Sequence, residues 1–339
     1  MFKYLYAALT YFVISSAFAD EVPYAGVWQG YIGKSKVQVC FSSENSQYYY
    51  LKHLRGIVLV ENKKSPPFTE WGEFKETGTW KLGETTGSSL IGSWNDYAGT
   101  RQLEIKLSKV AELAKPGKDD YYPCGKEYYR PIENSVRRSY TQAKFKDIIY
   151  REIKTDSGDA FELPNLFAGA SEFNNFVWYW IKQQSVNAYS CQLNGGGGWH
   201  KELRPLVWSE KYLVVEDSLP DIYCGGAHND WQTDFYTFDI QRGKKIDTWS
   251  WLKNREQSVK RVHEGKQTGL RSLIEKVSPR KECGGLEYVT VGPPHPTKEG
   301  LVFPFSVLPC ETDALISYKA LTPYLTSSGL SMAAEFSKE

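Results

Sequence analysis

Residues 102–107 read Gln-Leu-Glu-Ile-Lys-Leu, and this short alternation decides how the first third of the chain is read. Leu103, Ile105 and Leu107 fall on one side of an extended backbone, with Gln102, Glu104 and Lys106 on the other. A period of two sends one face into a core and leaves the other in water, as in an antiparallel strand. Upstream, comparable short segments recur: YAGVWQG (24–30), VQVCF (37–41), YYYLKHL (48–54), GIVLV (56–60), TGTWKL (77–82) and LIGSWN (90–95). Six or seven strands at this spacing predict a small antiparallel β barrel or curled meander over residues 20–110. A Gly-x-Trp element repeats at Gly26/Trp28, Gly78/Trp80 and Gly92/Trp94. Glycine permits a bulge or a close backbone approach, and the nearby indole can cover the gap. An aromatic content of 15% suits such a sheet.

Prolines, glycines and charge interrupt the rhythm after residue 110, so residues 111–139 are expected to connect two domains, with Cys124 pinned back toward the β half. Beyond them the texture is mixed. Residues 141–153 carry Phe145, Ile148, Ile149 and Ile153 at spacings that fit either a helix or a strand. Residues 171–189 predict a helix with Ser171 as N-cap and Phe173, Phe176, Val177, Trp180 and Ile181 on its core face, leaving Tyr179 outside. Strands are expected over 205–219 and from 234, the latter turning through Gln241-Arg242-Gly243-Lys244 as a hairpin. A second amphipathic helix is expected over 268–277, with Leu270, Leu273, Ile274 and Val277 on one side, followed by a strand at 301–310 and a strand-turn-helix segment at 314–325. The fold class is therefore α+β: a barrel-like module, then a domain over 140–330 with an antiparallel sheet and two helices.

The first 19 residues hold one early Lys3, an apolar stretch, and the small-x-small ending Ala17-Phe18-Ala19, which reads as a cleavable export signal. The apolar run is too short for a membrane span. Removing it takes Lys3 from 41 basic residues and leaves 40 against 40 acidic ones. A net charge of zero gives no long-range attraction to nucleic acid. Export also decides how the six cysteines are read, because an oxidising compartment favours disulfides over thiolate chemistry. Six cysteines allow 15 connectivities. The domain division favours Cys40–Cys124, Cys191–Cys224 and Cys283–Cys310.

Two stretches hold the candidate chemistry: NGGGGWH (194–200) and YCGGAHNDW (223–231). His200 and His228, with Asp221 or Asp230, were they a zinc site, would need about four ligands at a telling spacing, and no paired-histidine motif is present. No Gly-x-Ser-x-Gly elbow occurs, and carboxylate pairs such as Glu70/Glu73 or Asp234/Asp239 have no selective spacing for glycoside hydrolysis. The glycine run lacks the Lys-Ser/Thr of a phosphate loop and reads as a flexible loop beside a disulfide. No catalytic residue, metal or cofactor is expected.

Gly225, Gly226, Ala227 and His228, then Gly243 and Lys244, then Ile316, Tyr318 and Leu321, form a pattern that resembles a known extracytoplasmic domain. That domain, of unknown function, occurs in lysozyme-sensing anti-sigma factors and beside the catalytic domain of some peptidoglycan deacetylases. The resemblance spans residues 140–326, with Asn229 where the family has proline. It implies a non-catalytic domain that contacts a partner at the cell wall, the partner in the anti-sigma factors being lysozyme. The N-terminal half resembles small exported bacterial β modules with a Tyr-x-Gly start and repeated Gly-x-Trp, a likeness that implies no chemistry.

The functional expectation is a periplasmic or secreted binding protein with no nucleic-acid partner and no membrane span after signal cleavage. Its partner would be a cell-wall hydrolase or toxin, which it would inhibit or confer immunity against. The partner-binding set is Trp199, His200, Gly225, Gly226, Ala227, His228, Asn229 and Asp230. Two alternatives are a peptidoglycan- or glycan-binding module, and an envelope hydrolase using His228 or His200.

Overall fold

The structure, a computed structural model, describes residues 24–43, 46–61, 68–72, 75–114, 124–226, 230–253, 269–277, 290–307 and 310–338. It divides into two units, Met1–Arg130 and Pro131–Glu339.

The first unit is a closed barrel of eight antiparallel strands in chain order. These are β1 (Gly26–Ile32), β2 (Ser35–Phe41), β3 (Ser46–Tyr50), β4 (Gly56–Glu61), β5 (Phe68–Gly72), β6 (Lys75–Leu82), β7 (Ser89–Asp96) and β8 (Gln102–Ala111). The last pairs with the first, Ile105 opposite Ile32 and Lys109 opposite Trp28, so the sheet has no free edge. In β8, Ile105 and Leu107 are buried while Gln102, Glu104 and Lys106 are exposed, as the alternation predicts. Trp28 and Trp80 fill the interior with Phe41, Tyr48 and Phe68. At Gly78 an added Cβ would lie 2.7 Å from the Trp94 indole nitrogen, so the repeated glycine makes room for a neighbouring strand's tryptophan.

Strand β5 escaped the sequence reading, and the reason is physical. Its inward residues are the apolar Phe68 and the charged Glu70, and its outward ones include the exposed Trp71, so apolar and polar residues do not alternate along it. The strand expected over 48–54 ends at Tyr50, and residues 51–53 turn. The expected connection after residue 110 also holds a helix, α1 (Gly125–Asn134). The outer faces of β2 and β3 carry Gln38, Cys40, Gln47 and Tyr49, all buried. α1 and the residue before it provide their cover: Cys124 is joined to Cys40, Tyr49 Oη donates to the Tyr128 carbonyl at 2.5 Å, and Gln38 Nε2 donates to the Glu127 carbonyl at 3.2 Å.

The second unit is α+β. Its larger sheet has seven strands, which lie in the order Lys244–Lys245, Asp230–Asp239, Tyr212–Ile222, Lys201–Trp208, Gly158–Glu162, Ile148–Thr155 and Arg138–Phe145. The ambiguous segment around 141–153 is a hairpin, β9 (Arg138–Phe145) and β10 (Ile148–Thr155), leading to β11 (Gly158–Glu162). Helix α2 (Ala170–Leu193) then crosses over to β12 (Lys201–Trp208). That crossover makes β11 and β12 parallel, so the sheet is mixed rather than purely antiparallel. The helix begins one residue before Ser171, with Gly169 at its cap position, packed against the Gly243 turn too closely for a side chain. Phe173, Val177, Trp180 and Ile181 of α2 pack on Phe161 and Leu203, while Tyr179 stays 67% exposed. β13 (Tyr212–Ile222), β14 (Asp230–Asp239) and the two-residue β15 (Lys244–Lys245) complete the sheet.

β13 is buried on both sides. Leu213 and Val215 join the core under α2, whereas Tyr212 and Val214 join a second core with Leu301, Phe303, Ile316 and Phe336. That second core belongs to a small sheet of β16 (Thr290–Val291), β17 (His295–Pro296), β18 (Gly300–Val307) and β19 (Cys310–Ser317). β16 and β17 share one edge of β18, and β19 takes the other. The expected helix near 268–277 is α3 (Leu270–Val277), and a one-turn helix α4 (Tyr318–Leu321) follows β19. A further helix, α5 (Ser327–Phe336), ends past the expected boundary at 330; its N-cap Thr326 accepts from the Gly329 amide. The unit therefore holds more helices than the two expected.

Candidate functional site

The two glycine-rich stretches meet at the C-terminal end of α2. Cys191, in its last turn, is joined to Cys224. The Gly196 amide donates to the Cys191 carbonyl at 3.0 Å, and the Gly197 amide to the Tyr223 carbonyl at 3.2 Å. Gly225 sits at φ +84°, where an added Cβ would fall 1.9 Å from the Asn194 carbonyl oxygen. The run read as a flexible loop is thus pinned backbone to backbone. Within it, Gly196 is required by its close approach to the Tyr223–Cys224 backbone, and Gly195 and Gly198 by their positive φ.

Trp199, expected to anchor a partner, is partly buried and packs against Cys191, Leu219 and Ile222, as does Cys224. Its indole N–H donates to Gln184 Oε1 at 3.3 Å, and Gln184 is itself buried in α2. His200 follows, part-exposed, with Nε2 3.4 Å from Asp159 Oδ1. The other oxygen of Asp159 accepts from Lys154 at 2.7 Å, a bond that holds the Lys154 ammonium above its ordinary range. The exposed aromatic of the corner is one the sequence reading passed over, Tyr223, at 48% exposure. Of the expected set, the structure gathers Trp199, His200, Gly225 and Gly226 here. Ala227, His228 and Asn229 lie outside the described residues, and Asp230 is placed by its backbone, opposite Ile222 at the start of β14.

The carboxylate pairs also sort differently. Glu73 lies outside the described residues. Asp239 caps the turn after β14, accepting from the Gln241 and Arg242 amides. Asp234 is set directly across from Asp217 of β13, not paired with Asp239. Two like charges in that register repel, and three neighbours offset the repulsion. Lys201 Nζ lies 3.1 Å from Asp217 Oδ1, off the line of a hydrogen bond. Tyr236 Oη donates to Asp217 Oδ2 at 3.1 Å, and Lys245 Nζ stands 3.7 Å over the Tyr236 ring. Burial, then the charge of Asp217, pushes the Tyr236 phenol far above its usual range. Burial raises the Asp234 carboxyl and lowers the Lys245 ammonium. With Lys201 and Asp217 both closed to solvent, this cluster ties β12, β13 and β14 together beneath α2.

In the barrel, Glu70 of the missed strand is buried, 4% exposed. Its Oε2 accepts from Trp94 Nε1 at 2.7 Å, Tyr48 Oη at 2.8 Å and Trp80 Nε1 at 3.0 Å, and its Oε1 from Thr77 Oγ1 at 2.7 Å. Burial, and then this carboxylate's charge, keeps the Tyr48 phenol protonated well above the usual range. Four neutral donors on one anion make an internal knot across β3, β5, β6 and β7. Among the described residues no group of three or more His, Cys, Asp or Glu side chains is placed to hold a metal ion.

Fold and site together define a closed meander barrel followed by an α+β unit with a disulfide-pinned corner. No protein-family model matches the chain, and no curated protein matches it. Among solved structures it is similar to a DUF3298 family member from Bacteroides fragilis, at 11% identity and a TM-score of 0.31, over 60% of this chain and 98% of that one. A DUF3298 family protein from Pseudomonas aeruginosa is similar at 11% identity and a TM-score of 0.29, over 57% and 94%. Likenesses this slight carry nothing over to this chain. No described helix is long and apolar enough to cross a membrane.

Proposed function

We propose that this chain is an exported, non-catalytic binding protein of the periplasm or cell exterior, and that its partner is a cell-wall-degrading enzyme. In that role it acts as an inhibitor or an immunity protein. The observation that carries the reading is the pinned corner. Cys191–Cys224, the Gly197–Tyr223 bridge and the Trp199–Gln184 bond hold two loops in one arrangement before any partner arrives. A surface ordered in advance loses less conformational freedom on binding, which favours tight, specific recognition. Tyr223 then stands as an exposed contact group, with the part-exposed His200 in the same corner, on a rigid base, and tyrosine is enriched among residues that dominate interfaces. The export signal and the likeness of residues 140–326 to the lysozyme-sensing domain point to the class of partner.

Purified lysozyme-like hydrolases, immobilised and probed with the exported chain, test this directly. At least one is expected to bind it. Tyr223→Ala is expected to weaken that binding about tenfold or more, the loss of an interface aromatic of ~2 kcal/mol. A variant that binds as tightly as the parent would remove the corner from the interface.

A further inference from the structure

A separate feature of the α+β unit is a groove of about 480 Å³ over β9, β10 and β11, beside the turn at 163–165. Its volume lies within the ~300–1,000 Å³ of sites that take drug-sized molecules. The strand registers explain its floor. Gln142 is opposite Arg151, and Arg151 is opposite Glu162, so the three side chains form one row across three strands. Arg151 donates through Nε, at 2.6 Å, and through Nη2 to Glu162 Oε2, and its guanidinium lies 4.6 Å from the Tyr140 ring centroid. The row is thereby electrically balanced and fixed in plane. Tyr140, 40% exposed, and Ile149, 54% exposed, give apolar surface to either side. The carboxamide of Gln142 on the floor and that of Asn165 on the wall have no partner among the described residues.

We infer that this groove binds a short, neutral, hydroxyl-rich oligosaccharide. An extended peptide would look for an unpaired backbone ladder. None is offered over the floor: β10 is paired on both sides, the free ladder of the edge strand β9 points outward in the plane of the sheet and not into the groove on its face, and the Leu163 N–H and C=O are both taken by the Asn174 carboxamide. An anionic ligand would meet a guanidinium already neutralised by Glu162. What remains are planar amide and carboxylate edges that donate and accept, beside an aromatic ring and an aliphatic side chain. A sugar ring presents the complement, hydroxyls around its rim and C–H groups on its faces. The inference does not depend on the hydrolase-binding corner.

Calorimetric titration of the exported chain with chitotetraose, cellotetraose and tetra-alanine tests it. At least one of the saccharides is expected to bind at a single site, and the peptide not at all. Gln142→Ala should weaken saccharide binding about fivefold and Tyr140→Ala about five- to tenfold. Tyr223→Ala should leave it unchanged, which separates this site from the corner. Because Tyr140 and Gln142 lie at the surface, both variants are expected to keep the parent's circular dichroism; if Tyr140→Ala does not, Gln142→Ala decides. The inference is overturned if neither saccharide binds at millimolar concentration, if binding survives both groove variants, or if tetra-alanine binds in their place.

Discussion

Glu70→Leu is expected to cost the barrel about 4 kcal/mol, the largest loss of any single substitution argued for this chain. The substitution strands four donors in the interior: Tyr48 Oη, Trp80 Nε1, Trp94 Nε1 and Thr77 Oγ1. A buried donor left without an acceptor costs ~1–3 kcal/mol, against ~2 kcal/mol gained by burying a leucine. Glu70→Gln keeps a carbonyl acceptor but turns an NH2 group toward the same donors, so an intermediate loss is expected. Denaturant unfolding followed by tryptophan fluorescence reads both. A Glu70→Leu protein within ~1 kcal/mol of the parent would mean that the carboxylate is not the acceptor that organises the interior.

Acid is expected to destabilise the α+β unit through His295. This residue is buried in β17, stacked on Phe235 at 3.8 Å, and its Nδ1 has no hydrogen-bond partner among the described residues. Burial alone pushes its pKa down to about 4. In the unfolded chain the same imidazole takes up a proton near pH ~6.5. Between the two values the unfolded state binds more protons, so stability is fully present above pH ~6.5 and falls as the pH drops toward 4. The gap corresponds to about 3 kcal/mol. His295→Phe keeps a ring against Phe235 and cannot titrate, so the stability difference between variant and parent should widen by that amount from pH 7 to pH 4. A difference that does not change with pH would contradict the burial of a neutral histidine at this position.

Much of the fold was legible because period-two and period-three-to-four patterns survive wherever inward positions are apolar. β8 and α2 are cases in point: Ile105 and Leu107 face the barrel, and Phe173, Val177 and Trp180 face the sheet. The patterns are lost where inward positions are polar. β5 turns Glu70 inward and Trp71 outward, and α1 looked like a linker because it covers buried glutamines and a disulfide rather than an apolar stripe. The parallel pairing of β11 and β12 followed from a crossover that local alternation does not encode.

The site was legible in part for the same reason. Two of the three expected disulfides are formed, Cys40–Cys124 and Cys191–Cys224, whereas Cys283 lies outside the described residues. Glycine content marked the corner, but composition could not say that Gly196 and Gly225 pack on facing backbone or that Trp199 turns inward. The Asp217–Asp234 juxtaposition and the Gln142–Arg151–Glu162 row depend on strand register, which joins residues far apart in the chain. For the row, the one sequence signal is polar residues at alternating positions in three consecutive strands.

The central claim is that the chain binds and restrains a cell-wall-degrading enzyme through the pinned corner. The most direct measurement is the rate at which a lysozyme-like hydrolase that binds the exported chain clears a peptidoglycan suspension, with increasing amounts of parent or Tyr223→Ala protein. The account predicts saturable inhibition by the parent and a shift of the Tyr223→Ala curve to about tenfold higher concentration. Hydrolysis that proceeds at full rate under saturating parent protein, or equal inhibition by both proteins, would contradict it.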